Sequence, residues 1–463
     1  MRAHEAGALH ADAGWMGPEW LREPQDVNAL LPGLWPAGVE RGADGALTVA
    51  GVDVRDIAAE HGTPAYVVDE DDFRARCRAF RDAFDTVGAD ISYAAKAFLC
   101  TAVARWVGEE RLGLDACTGG ELAVALHAGF PSERVTLHGS NKSSAELETA
   151  LAAGVGRFVV DSFEEVVRLA FLAQQKGVRA AVLVRVTVGV EAHTHEFIAT
   201  AHEDQKFGFS LADGDAAEAV RRILLLPALD LRGLHMHIGS QIFDTAGFEV
   251  AVRRIVGLHA EVRDEHGVEL PELVLGGGFG IAYTSQDDPL PPATLAEQTR
   301  RVIDEECGLR GVTSPRLAVE PGRAIAGPAV FTLYEVGTVK AVRGRRTYVS
   351  VDGGMSDNIR PALYDASYSC TLASRTSDAP PMLARVVGKH CESGDVVVKD
   401  EFLPADIAPG DLLAVPGTGA YCRSMASNYN CVPRPPVVAA RDGAVRTIVR
   451  RETVDDLLRL DVG

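Results

Sequence analysis

Residues 157–176 read RFVVDSFEEVVRLAFLAQQK. Arg157–Val160 is a short apolar run, Asp161 closes it with a polar turn, and Ser162–Lys176 has the spacing of an amphipathic helix. The same unit recurs on both sides of this stretch. Between Asp90 and Glu320 eight candidate strands follow one another: Ile91–Ala95, Arg111–Leu114, Val135–Leu137, Arg157–Val160, Ala181–Val186, Leu231–Met236, Glu272–Leu275 and Arg316–Val319. Helical stretches such as Gly120–Ala128 separate most of them. Strands alternating with helices predict parallel βα units, and eight such units predict a closed (β/α)8 barrel of the α/β class.

Barrels of this kind carry their chemistry at the carboxyl ends of the strands. The residues at or just past those ends are Lys96, Asp115, His138, Asp161, Arg185, His237, Gly276–Gly278 and Glu320. One polar residue at a strand end is an ordinary loop residue. A ring that combines Lys, His, Glu and three consecutive glycines points to a site.

The texture changes elsewhere. Residues 1–46 are rich in Gly, Pro and Ala, with Trp15, Trp20 and Trp35, and read as an extension that wraps a surface. Its first dozen residues are expected to be disordered. Residues 47–69 contain the strand-like runs Leu47–Val49 and Ala65–Val68. After Arg323 come short strand-like runs with few helices: Ala329–Val339, Thr347–Val351, Ala384–Val387, Val396–Val398 and Leu412–Val415. The expected layout is an extension (1–46), strands that join a β-rich domain (47–69), a barrel (70–325) and the β-rich C-terminal domain itself (326–463).

Composition narrows the function. Among 463 residues, 46 are Lys or Arg and 65 are Asp or Glu, a formal net charge of −19. Such a surface repels nucleic acid and anionic membranes and leaves small molecules as partners. No uncharged apolar run is long enough to span a bilayer, and the N-terminus lacks the pattern of a secretion signal. The eight cysteines are scattered without a C-x-x-C pair, which argues against a disulfide framework or zinc site and for a reducing cytoplasm.

Four motifs carry the chemistry. In Ser92-Tyr93-Ala94-Ala95-Lys96-Ala97, a lysine ends a buried strand. Desolvation there would lower its pKa and free an amine for a Schiff base, although an isolated lysine at such a place more commonly snorkels to solvent. Leu275-Gly276-Gly277-Gly278-Phe279-Gly280 follows the seventh strand, where backbone N–H groups can approach a phosphate. Many glycine runs are only turns, so its position gives it weight. Glu320-Pro321-Gly322-Arg323 follows the eighth strand. Its carboxylate could hold a pyridine nitrogen protonated and Arg323 could pair with an anion, or the four residues could be a plain turn with a surface ion pair. His235-Met236-His237-Ile238-Gly239-Ser240-Gln241 places two histidines on one side of a strand. Without a third ligand at suitable spacing a metal is discounted, and a flat imidazole stacked on a planar cofactor fits better.

Together these motifs resemble the fold-type III decarboxylases, the ornithine/diaminopimelate/arginine decarboxylase family, from about Gly62 to Tyr429. The diaminopimelate branch is indicated by Gly119-Gly120-Glu121-Leu122, His138–Ser143, Gly233–Gln241, Asp352-Gly353-Gly354-Met355-Ser356-Asp357, Arg360-Pro361-Ala362-Leu363-Tyr364 and Cys391-Glu392-Ser393-Gly394-Asp395. The resemblance implies an alanine-racemase-like barrel and pyridoxal 5'-phosphate carried on Lys96. It implies His237 stacked on the ring, with Asp115 near its Lys96 end. Ser240, Gly277, Gly278, Gly322 and Arg323 would bind the cofactor, and Glu320 its ring nitrogen. Arg323, Arg360, Tyr364, Glu392 and Tyr421 would bind meso-diaminopimelate, Tyr421 also touching the cofactor, and Cys391 would donate the proton. It further implies a homodimer in which Cys391 and Glu392 reach the partner's site.

The chain departs from the family at Gln205, where Ser is common, and at Ala116-Cys117-Thr118. These leave the substrate-reading role of the loop Val188–Gly208 open. Decarboxylases of carboxynorspermidine or an antibiotic precursor would share much of the pocket, while Arg360 with Tyr364 counts against arginine. An alanine-type racemase has no use for Cys391-Glu392, and an inactive homologue usually loses the lysine or the cysteine.

Overall fold

The computed structural model describes residues 17–189, 206–243, 246–343 and 346–463. Trp15, the first dozen residues, Gln205 and most of the loop between Val188 and Gly208 lie outside the described residues. The chain divides into two compact units. One comprises residues 74–280 and 289–325; the other comprises residues up to 73, 281–288 and 326–463.

The first unit is a barrel of eight parallel strands: β1 (Ala89–Ala94), β2 (Gly113–Ala116), β3 (Val135–Leu137), β4 (Arg157–Val160), β5 (Ala180–Thr187), β6 (Leu229–His235), β7 (Glu272–Val274) and β8 (Arg316–Val319). Each strand pairs with the next, β8 pairs with β1, and β4 pairs with β5 to close the cylinder. Three of the eight strands run between the residues expected from the sequence. The others shift by one or two positions at an end, the usual uncertainty of strand limits.

Local chemistry explains the alternation. After β4, Ser162 accepts a hydrogen bond from Glu165 N and starts the helix Phe163–Lys176, and Gly177 at φ 66 ends it. The helix buries Val166, Leu169, Leu172 and Ala173. Each of the larger side chains contributes roughly 1.5–3 kcal/mol by leaving water. After β3, Ser143 and Glu146 form a capping box for the helix Ser144–Ala153, worth about 1 kcal/mol. Gly233 in β6 is required by close approach, because a Cβ there would lie 1.9 Å from Glu272 O.

The second unit is β-rich. Its main sheet runs Val396–Pro404, Pro381–Val387, Thr347–Val351, Val330–Ala341, Ala65–Asp69, Val437–Arg441, Ala444–Val449, with Leu412–Pro416 also pairing Val330–Ala341. Ala65–Asp69 therefore sits between two C-terminal strands, and the sheet is built from both ends of the chain. Residues 47–69 do not all join this sheet. Leu47–Val49 pairs instead with Val39–Arg41 and Val52–Asp53 in a three-stranded sheet. Its apolar side chains still share one core with Val67, Phe331, Leu333 and Val438. Pairing partner and core partner differ, and only core membership is written in hydrophobicity. Among the described residues, no helix is long and apolar enough to cross a membrane.

Candidate active site

Backbone hydrogen bonds continue the barrel past its strand ends and fix the rim. Ala95 N donates to Asp115 O at 2.9 Å, His138 N to Ala116 O at 2.7 Å, Met236 N to Val274 O at 2.8 Å and Glu320 N to Gly276 O at 2.9 Å. Tyr93 Oη donates to Phe98 O at 2.7 Å and closes the turn that carries Lys96. Lys96 is half-buried, and its charge is the strongest of those that stabilise the Asp115 carboxylate. Burial still raises the Asp115 carboxyl above its ordinary range, against the opposing effects of Lys96, His235 and Arg185.

The rim holds a buried polar network. Arg185 Nη1 lies 3.0 Å from His138 Nε2. A guanidinium only donates, so this nitrogen accepts and the His138 proton sits on Nδ1. That nitrogen faces Asp115 Oδ1 at 3.3 Å. His235 Nε2 lies 3.2 Å from both oxygens of Glu320. The rings of His138 and His235 meet edge to face at 4.4 Å. Burial drives the pKa of His138 and of His237 well below the ordinary imidazole value, so both stay neutral. Gly277 N donates to His237 Nδ1 at 3.1 Å, which sets that ring's orientation and leaves its proton on Nε2.

His138, His235 and Glu320 offer ligand atoms within 4.8 Å of one another. The sequence had suggested no third ligand beside His235, because the residues that converge on it come from other strands. The arrangement still suits a metal poorly, since the lone pair of His138 Nε2 is taken by the cation Arg185.

The remaining rim residues form an anion cradle. Arg323 Nη2 donates to Ser240 Oγ at 2.9 Å. Gly276, at φ 69, would place a Cβ 2.6 Å from Met236 O, and Gly278, at φ 112, one 2.7 Å from Gly239 O. Only glycine lets the turn after β7 lie this close to the turn after β6. Gly322 is similarly pressed against Ala94 O, beside the Lys96 turn. The Ser140 hydroxyl is buried without a hydrogen-bond partner among the described residues. An amine, a flat neutral imidazole, a carboxylate in a fixed position, and a Ser–Arg pair at a glycine turn are groups able to hold the aldehyde, ring, ring nitrogen and phosphate of pyridoxal phosphate. The residues fit that cofactor.

In the β-rich unit, Arg360 opens the short helix Arg360–Tyr364 and is buried. Its guanidinium lies 4.7 Å from the Tyr283 ring and 5.6 Å from the Tyr368 ring, and Nη1 donates to Tyr368 Oη at 2.5 Å. Its Nε has no hydrogen-bond partner among the described residues. This is a cation in an aromatic box with one donor in reserve. Tyr283 and Tyr368 were not legible as site residues, because they converge on Arg360 only after folding.

Cys391 is exposed and Glu392 half-buried, on a turn held by its neighbours. His390 Nε2 lies 2.8 Å from Ser356 Oγ, and Asp395 accepts from Met355 N at 2.6 Å and His390 N at 2.7 Å. Tyr421 has φ 62, an uncommon backbone region for a side chain of its size. It follows Gly419, where a Cβ would lie 1.8 Å from Ala326 O.

Residues 70–327 match the family model described as the pyridoxal-dependent decarboxylase pyridoxal-binding domain. Diaminopimelate decarboxylase of Mycobacterium tuberculosis is 58% identical over 441 residues, covering 94% of this chain and 98% of its own. The chain belongs to the diaminopimelate decarboxylase family. The family member from Bacillus subtilis is 46% identical, over 90% of this chain and 95% of its own. Among solved structures, the diaminopimelate decarboxylase of M. jannaschii in complex with L-lysine matches with a TM-score of 0.86 at 30% identity, over 92% of this chain and 98% of that one. The enzyme from Helicobacter pylori, also with L-lysine, gives 0.80 at 29% identity, over 88% of this chain and 99% of that one.

Proposed function

We propose that this carboxy-lyase removes one carboxyl group of meso-2,6-diaminopimelate to give L-lysine and CO2, with pyridoxal phosphate carried on Lys96. The observation that carries this is identity of 58% to a diaminopimelate decarboxylase over 94% of the chain. When bound, the cofactor supplies the electron sink for the pair left at Cα as CO2 departs.

The chain's own residues do the rest. Lys96 presents the amine that anchors the cofactor. The Ser240–Arg323 pair and the Gly276–Gly278 turn take the phosphate, and the neutral face of His237 packs on the ring. Glu320 holds a proton at the ring nitrogen. Arg360 takes the distal carboxylate of the substrate with its free donor, and Glu392 takes the distal ammonium. That pairing disfavours ornithine and lysine as substrates, since neither has a distal carboxylate. Tyr364 and Tyr421 line the substrate, and Cys391 delivers the proton to Cα.

The active species in this reading is a homodimer in which Cys391 and Glu392 serve the partner's Lys96. Exposure of Cys391 in the isolated chain supports it. A cytoplasmic location is supported by the eight cysteines, which are scattered without a C-x-x-C pair.

Purified protein given pyridoxal phosphate and meso-diaminopimelate should release CO2 and L-lysine in equal amounts; no release would end the reading. Mixing Lys96→Ala with Cys391→Ala protein, each inactive alone, should restore about a quarter of wild-type activity if sites are shared across a twofold interface. No recovery would leave the reaction standing and remove the shared site.

A further inference from the structure

Glu320 occupies an awkward place. It is buried at the rim, and it also lines a cavity of about 990 Å³ that runs from the opposite mouth of the barrel, at Arg81, Asp85 and Arg111, past Leu183, Val274 and Ala318. A carboxylate there has two directions to face, up to the rim or down into the cavity. His235 bridges both of its oxygens from Nε2. A single N–H placed symmetrically on two oxygens fixes the carboxylate's plane as well as its position.

His235 cannot readily turn away. It is fully buried, and its ring is blocked edge-on by His138. His138 is held at Nε2 by Arg185, and its Nδ1 faces Asp115 Oδ1 at 3.3 Å without a hydrogen bond between them. The register sets Arg185 of β5 abreast of His235 of β6, so the two strands deliver both ends of this clamp to one level.

We propose that His235 is a positioning residue that aims the Glu320 carboxylate at the cofactor's ring nitrogen, with His138, Arg185 and Asp115 as its backstop. This rests on the reading of Glu320 as the ring partner and deepens it. His235 touches neither substrate nor reacting atoms in this role; it acts through Glu320. Loss of its N–H removes one hydrogen bond to a charged group, worth about tenfold or more in an equilibrium constant.

The test is a double-mutant cycle read by titrating cofactor-free protein with pyridoxal phosphate, following the absorbance of the bound cofactor. His235→Phe keeps a ring and removes the donor, and should weaken binding about tenfold. His235→Gln puts an amide N–H near the same point and should recover most of that loss. On a Glu320→Gln background, His235→Phe should add less than about twofold, because coupled sites are not additive. Should His235→Phe not fold, His235→Asn, whose shorter amide does not reach the carboxylate, takes its place in the cycle. Additive losses in the two backgrounds, or equal losses in the Phe and Gln variants, would overturn the proposal and mark His235 as packing only. Cofactor affinity is read without substrate, so a failure here is separate from a failure to decarboxylate diaminopimelate.

Discussion

The barrel rim and the β-rich unit hold their chemical groups by different means. At the rim, buried polar groups restrain one another: Arg185 bonds His138, whose other nitrogen faces Asp115, and His235 bonds Glu320. In the β-rich unit, Arg360 has no carboxylate within ion-pair distance among the described residues and is held by two tyrosines. The Cys391 turn is held by backbone N–H groups on Asp395. A mutually bonded set is preorganised for a ligand whose charge is always in one place, as a cofactor's is. A cation left with a spare donor in an aromatic box is suited to a carboxylate that comes and goes, because the rings keep its position without neutralising it.

The contrast can be broken in order of expected effect. Lys96→Ala should lower turnover by on the order of 10⁴-fold or more, the scale of losing a covalent catalytic group, and borohydride should no longer fix the cofactor to the protein. Full turnover in that variant would remove the rim as the reacting centre. Next comes Glu165→Gln. Glu165 pairs with Lys142 at 2.8 Å with both side chains buried, and Lys142 also ties Gly139 O to Val159 O. Stranding that ammonium should cost about 3 kcal/mol of folding stability, read by urea unfolding. A neutral result would mean that the carbonyl acceptors alone satisfy Lys142.

Arg360→Lys should raise KM for diaminopimelate by about 10–100-fold while moving kcat little, since a point charge replaces a planar fork. An unchanged KM would sink the distal-carboxylate role. The smallest effect belongs to Glu401 of the β-rich unit. Burial pushes its carboxyl up to about 7, against hydrogen bonds from Phe402 N and Cys370 N. A carboxyl raised in the folded state stabilises while protonated. Its contribution is full below the ordinary value near 4.5 and is lost as pH rises through 7. The slope is at most about 1.4 kcal/mol per pH unit across that window. Melting curves of wild type and Glu401→Gln at pH 5 and pH 8 should therefore differ in slope, the variant being flatter. Parallel curves would show that Glu401 titrates normally.

Much of the rim was legible before folding. Lys96, Asp115, Glu320 and the triple glycine each end a strand, and strands declare themselves by apolar runs between polar turns. The partner of Glu320 was not. His235 and His237 could be seen as a pair, but which of them faces a carboxylate from β8 depends on how eight strands stagger when the sheet closes. In the β-rich unit Arg360 was singled out by its motif, whereas Tyr283 lies 77 positions away in a segment that folds apart from the barrel residues on either side of it. Residues 281–288 carry no compositional mark of that membership.

The linear chain by itself determined the succession of strands and helices, the places of Lys96 and the glycine turns at strand ends, and the acidic character of the protein. These follow from side-chain periodicity, backbone freedom and charge, which are properties of neighbours in sequence. Tertiary structure alone decided that His138 is an acceptor for Arg185, that His235 steadies Glu320, and that Ala65–Asp69 is a central strand of a sheet otherwise made from the C-terminal third. Those are pairings across tens to hundreds of residues. Their geometry is set by barrel closure and sheet register, which no local pattern encodes.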